Sequence, residues 1–237
     1  VFDAGPARLL PRVQLVTDLA FEGTLAGLPV PVSPLRRRLE LSRAVGRLLD
    51  AEPELSPRSA LFDLSDSLAA LMDEMHGEGI DPASLADLDV SDQSGHWQRS
   101  LAFLNILREY FGAGFEAPDV AARQRLVVNA MIVRWQGQPP TDPIILAGST
   151  GSRGATALLM QAVSRLPQGA IVLPGFDRDM PQSVWDGLDD ALHHEHHLQF
   201  RVAKMMQALD LSADDVKDWT PSEPPAPARN KLISLSL

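Results

Sequence analysis

The stretch Pro143–Asp177, PIILAGSTGSRGATALLMQAVSRLPQGAIVLPGFD, decides the reading of the fold. A short apolar run, Ile144-Ile145-Leu146-Ala147, leads into a Gly/Ser/Thr loop, Gly148-Ser149-Thr150-Gly151-Ser152. A helix-forming run follows over about Gly154 to Arg165, then a Pro-Gln-Gly turn and a second apolar run, Ala170 to Leu173. Strand, Gly-rich loop, helix and strand in that order make one βαβ unit. Both strands are continuous hydrophobic runs, as parallel strands buried on both faces are. The loop then falls at the carboxyl end of its strand, where open α/β sheets place ligand sites. Its glycines permit close backbone approach, and N–H groups at a helix N-terminus can face an anion.

Two phosphate-binding patterns are excluded. A P-loop requires G-x-x-x-x-G-K-[ST]. Here Gly148 and Gly154 are one residue too far apart, and Ala155 stands where the lysine belongs. The G-x-G-x-x-G dinucleotide spacing is broken by Gly148-Ser-Thr-Gly151. Two readings of the loop stay open: a generic anion site, or a tight turn between strand and helix.

The 237 residues suffice for one large or two small domains, and 45% apolar content allows a sizeable core. There are no cysteines, which excludes disulfides, thiolate metal sites and cysteine nucleophiles. No apolar run approaches the length of a membrane span, and no signal peptide is visible, so the expected location is cytoplasmic. The start at Val1-Phe2-Asp3 and the end after Lys231-Leu-Ile-Ser read as those of a piece of a longer protein. A net charge of −10 argues against nonspecific coating of nucleic acid.

Outward from the βαβ unit, Val13–Thr17 reads as a short first strand and residues 22–33 as a Gly/Pro-rich loop. Ser33-Pro34 starts a helix to about Asp50, with Leu35, Leu39, Leu41, Ala44, Val45, Leu48 and Leu49 as its apolar stripe. The basic triplet Arg36-Arg37-Arg38 is either a solvated face or a phosphate-tracking patch. Ser56-Pro57 starts a second helix to about Gly77, with Ala60, Leu61, Leu64, Leu68, Leu71, Met72 and Met75 inward. Asp81-Pro82 begins a short third helix, Asp92–Gly112 forms a fourth, and Pro118–Gln136 a fifth, with Leu126, Val127, Ala130, Met131 and Val133 inward. After Asp177 a helix runs from Pro181 to about Leu192, another from Gln199 to Leu209, and a capped turn from Ser212 to Lys217. Pro221–Arg229 reads as a linker, with the next element beginning at Lys231.

The run His193-His194-Glu195-His196-His197 raises metal ligation, with His193 and His197 at i, i+4. The H-E-x-x-H order is absent and no further ligand is evident, so no functional metal is assigned; adventitious metal binding and an exposed or helix-capping cluster are the readings kept, the latter foremost. No G-x-S-x-G elbow occurs, and no motif places a Ser/His/Asp set. No catalytic residue and no cofactor is assigned.

The segment AGSTGSRGATALLMQAVSRLPQGAIVLPGFD resembles a block of the AddB family, double-strand break repair subunits, in its alphaproteobacterial form. Leu10-Pro11-Arg12-Val13, Ser33-Pro34-Leu35-Arg36-Arg37 and His96-Trp97-Gln98-Arg99-Ser100-Leu101 resemble further family landmarks upstream. His197-Leu198-Gln199-Phe200 resembles the family's HPQY, and Val216–Trp219 its V-x-x-W. Arg153-Gly154 stands where Ile-Pro is usual, and Leu198 replaces the proline of HPQY.

The resemblance implies an α/β fold: a partial RecA-like (P-loop NTPase-like) parallel sheet with a large inserted α-helical subdomain. Residues 1–33 would supply the first strand and loop, 34–137 the helical subdomain, 138–220 the return to the sheet, and 221–237 a linker and the next element. It implies a non-catalytic, helicase-like portion of an AddAB-type helicase–nuclease. Its expected partners are an AddA-type subunit and single-stranded DNA, with no membrane. Gly148, Ser149, Thr150, Gly151, Ser152 and Arg153 would contact phosphates, with Arg36 and Arg37 as additional phosphate contacts and His197 and Gln199 as contacts to a partner or to nucleic acid. Two readings from other classes remain: a nucleotide- or anion-binding regulatory domain, and a purely structural interaction domain whose helices dock the partner. A sheet edge left open predicts self-association of the piece.

Overall fold

The computed structural model describes residues 11–21, 27–80, 117–151, 154–188, 194, 196–220 and 226–234. Within them the protein is mixed α/β and mostly helical, with one two-stranded parallel sheet. No helix there is long and apolar enough to cross a membrane.

Helix α1 spans Pro34–Ala51, with the Ser33 side chain accepting from the Arg36 backbone N–H at 3.3 Å. Proline at its first position removes a donor that would otherwise lack a partner. Helix α2, Leu61–Glu78, is entered through a 3₁₀ turn, Arg58–Ala60, that has Pro57 and not Ser56 at its cap position. It closes on Gly79 in the left-handed region, where the N–H of Ile80 donates back to Met75 at 2.9 Å. The two helices bury Leu41, Val45, Leu49, Leu68, Met72 and Met75 between them as a first core. The methionines of α2 are therefore core, as its spacing predicts. Leu35 and Leu39 are not in it, being 69% and 51% exposed.

Helix α3, Val120–Gly137, is capped by the Asp119 side chain, which accepts from Ala122 N–H at 2.8 Å. It buries Val127 and Val128, whereas Leu126 and Val133, expected inward, face out. Strand β1, Ile144–Ala147, and strand β2, Gly169–Val172, pair in parallel with Ile144 opposite Gly169 and Ala147 opposite Val172. The crossover between them is helix α4, Gly154–Ser164. This is the βαβ unit read from the sequence. Its core joins Val128 of α3 to Leu146, Ala155, Leu159, Met160, Val163 and Met205. The strands are not buried on both faces: Ile145 is 55% exposed, and among the described residues α3 and α4 join the core on the Leu146 side of the sheet.

The expected first strand at Val13–Thr17 is overturned. Residues 11–15 are irregular, and Val16–Phe21 is a 3₁₀ helix. Side chains of α3 take its carbonyls instead of a neighbouring strand: Gln124 donates to Val16 O at 2.9 Å, and Arg123 donates to Ala20 O.

A third core gathers Met180, Trp185, Leu188, Val202, Ala203 and Met206. It lies between the short helix α5, Gln182–Gly187, and helix α6, Phe200–Leu209. A capping box of Ser212 and Asp215 starts the 3₁₀ turn Ala213–Asp215. The expected linker ends early, since helix α7 covers Pro227–Ser234 with proline again at a first helical position. The helices expected at Asp81-Pro82 and Asp92–Gly112 lie outside the described residues.

Gly169 shows how tightly α4 and β2 are joined. A Cβ there would overlap the Val163 carbonyl oxygen. Gly169→Ala is expected to cost about 1–3 kcal/mol in urea denaturation. Gly137, with nothing within 4 Å of an added Cβ and a helical position, is the control. Gly137→Ala should be neutral or stabilise by about 0.5–1 kcal/mol.

Candidate functional site

The Gly-rich loop begins as an extension of the sheet, with Gly148 N–H donating to Val172 O at 3.3 Å. It then tightens: Ser149 Oγ accepts from Gly151 N–H at 3.1 Å, which uses one of the loop's donors internally. Gly151 is buried at φ 60°, and a Cβ on it would run into Met160 Sδ of α4 and lie 3.2 Å from Met205 Sδ of α6. Gly154, also at φ 60°, opens α4 so close to α2 that a Cβ would stand 2.8 Å from Gly77 O. That carbonyl also accepts from Arg125 at 2.7 Å. The start of α4 thus abuts the carbonyl end of α2, and the two partial charges complement each other. Gly148 is exposed, Ser149 and Thr150 are half-buried, and Ser152 and Arg153 lie outside the described residues.

On the same edge of the sheet, Gln199 holds the turn after β2, its amide donating to Gly175 O at 2.8 Å. His197 Nδ1 accepts from Gln199 backbone N–H at 3.1 Å. Two buried polar atoms, His197 Nε2 and Gln199 Oε1, have no hydrogen-bond partner among the described residues. The fold therefore brings His197, Gln199 and Gly148–Gly151 to the carboxyl end of the strands, with α6 touching both groups. His193 and Glu195 lie outside the described residues, and among those described no cluster of three or more metal-ligating side chains forms.

Arg36 and Arg37 are elsewhere, on α1 in the helical layer. Arg36 pairs with Glu40 at 2.8 Å. Arg38 forks onto both oxygens of Asp66 at 2.8 and 2.7 Å. Arg37 is buried, bonded to Asp73 at 2.5 Å and Ala69 O at 3.0 Å, and 3.3 Å from Asp119. Arg36 and Arg38 lie on a solvated face and Arg37 is buried, and each guanidinium is bound by a carboxylate of this chain.

Asp119 is the residue that sequence reasoning missed. Besides capping α3 it accepts from His76 Nδ1 of α2 and faces Arg37 of α1. Burial opposes its charge, but the hydrogen bonds from His76 and Ala122 and the electrostatic pull of His76 and Arg37 outweigh it. Together they hold the carboxyl below its ordinary 3.8. An Asp preceding a helical run is a legible cap signal; its two distant partners are not.

Compared with protein-family models, curated proteins and solved structures, the chain gives no match.

The lowered value sets the sign of an acid dependence. Asp119's contribution is complete above pH 3.8, its ordinary value, and is lost as pH falls through the lower folded-state value. Asp119→Asn keeps a capping side chain but removes the charge. It should cost about 3 kcal/mol at neutral pH. Urea titrations well below pH 3.8 should show that gap shrinking; an unchanged gap would mean that the charge contributes nothing.

Proposed function

We propose that the chain is a non-catalytic, helicase-like scaffold element of an AddAB-type break-repair machine. In this reading it is a partial RecA-like sheet with a helical subdomain, and its principal task is to dock the partner subunit along the path of single-stranded DNA. The ordered sequence blocks that resemble the AddB family and the parallel βαβ unit support it. One observation favours docking over phosphate binding as the main role. The arginines of the basic triplet are bound by this chain's own carboxylates, while Leu35 and Leu39 beside them stand in solvent. The Gly-rich loop points the same way, since Gly151 and Gly154 pack against neighbouring helices.

A second reading has one observation in its favour. The loop, His197 and Gln199 share the carboxyl end of the strands, where α/β sheets bind ligands. There, Gly148, Ser149 and Thr150, with Ser152 and Arg153, would position the DNA backbone without reading bases.

Two measurements separate the readings. An AddA-type subunit co-expressed with the chain is expected to co-purify with it; its absence would sink the docking role. Fluorescence anisotropy of labelled single-stranded DNA at low salt is expected to show no binding that depends on Arg153. Salt-sensitive binding that weakens in Arg153→Ala would move the loop to the centre of the function.

A further inference from the structure

The exposed face of α1 carries a row of residues four apart: Leu35, Leu39, Arg43 and Arg47. Such i, i+4 rows form the ridges by which helices pack. Over twelve residues this one is about 18 Å long. Its first half is apolar, with Leu35 and Leu39 more than half exposed. Its second half is cationic. Arg43 and Arg47 are exposed, and among the described residues neither has a carboxylate partner. The nearby acids are engaged, Glu40 by Arg36 and Asp50 by Arg58. A shallow groove of about 350 Å³ follows the ridge, lined by Ser33, Leu35, Arg36, Leu39, Glu40 and Arg43. In a chain of net charge −10, this face is locally positive.

We infer that this ridge docks an acidic amphipathic helix of the partner protein, with the acids in the partner's first turns and the apolar residues after them. The inference rests on the docking role proposed above. Charge complementarity selects the occupant. Leu35 and Leu39 call for apolar side chains one turn apart, and Arg43 and Arg47 call for carboxylates two turns further along α1. Acidic residues are favoured at a helix N-terminus, so the partner helix runs antiparallel to α1.

A second copy of this chain fits poorly. Set antiparallel, two identical ridges oppose leucine to arginine; set parallel, they oppose arginine to arginine. Nucleic acid fits poorly too, since phosphates gain nothing from Leu35 and Leu39, and two unpaired guanidiniums are a short track.

The test uses the full chain and two fluorescein-labelled synthetic helices of identical composition. One has glutamates in its first two turns and leucines at i, i+4 in the next two; the other has the reverse order. The first is expected to bind at least about tenfold more tightly in fluorescence polarisation. Arg43→Glu with Arg47→Glu should weaken it by about tenfold or more, and a lysine-for-glutamate version of the same helix should recover affinity for that variant. All four positions are exposed, and circular dichroism checks that the variants stay folded.

Equal binding of both orders, or binding untouched by the arginine changes, overturns the inference. So does a dimer of the unaltered chain that Leu35→Ser with Leu39→Ser dissolves, because the occupant is then a second copy. Co-purification with an AddA-type subunit separates the two levels. If the unaltered chain and the arginine variant retain the subunit equally, the ridge is wrong and docking stands. If neither retains it while the helix binds in the expected order, the ridge stands and the docking role fails.

Discussion

A single buried carboxylate is shared by three helices. Asp119 caps α3 through Ala122 N–H, accepts from His76 on α2, and faces Arg37 on α1. Taking a charge out of water is costly, and it persists here because donors reach it from several directions. Arg37 is itself fixed, by Ala69 O and Asp73. The apolar core between α1 and α2 contributes attraction without direction. The carboxylate adds direction: α1 and α2 must meet the start of α3 in one rotation, or a donor loses its acceptor. Because α3 also carries Val128 into the core of the sheet, Asp119 links the helical layer to the βαβ unit, beside the direct contact of Gly77 with Gly154.

The same economy governs the Gly-rich turn. A turn of this composition at a strand's carboxyl end looks built for a ligand. Here Gly151 fits beneath two methionine sulfurs, and Gly154 lets α4 press on the last turn of α2. Both glycines have positive φ, so glycine is needed for the backbone path as well as for the approach. Much of what suggests binding in the sequence is therefore spent on assembly. The outer face of α1 is surface left unspent.

Local signals were legible and distant partnerships were not. Ser33-Pro34 marks the start of α1 because a cap and a fixed φ act within one turn. The strand–loop–helix–strand order around Gly148 is equally local, and the apolar spacing of α2 reports its buried face directly. Val13–Thr17 looked like a strand because valine and leucine recur in it. Whether such a segment pairs depends on a neighbour, and here Gln124, far along the chain, takes the Val16 carbonyl. Leu35 and Leu39 fit the periodicity of α1, but α2 covers only one side of that helix. At the candidate site, the loop, His197 and Gln199 could be nominated from sequence. The pairings of Arg37 and Arg38 could not, because Asp66, Asp73 and Asp119 are neighbours only after folding.

Helix α6 faces two cores at once. Met205 belongs with β1 and α4, while Val202, Ala203 and Met206 belong with Trp185 and Leu188. A helix shared in this way cannot leave one core and stay in the other. The sheet and the segment after it are therefore coupled into one cooperative unit, whose amide hydrogens should exchange with solvent at a common, slow rate. Helices α1 and α2 have a core of their own and are tied to the rest through Asp119 and the Gly77–Gly154 contact. Those ties set where the outer face of α1 stands relative to the sheet.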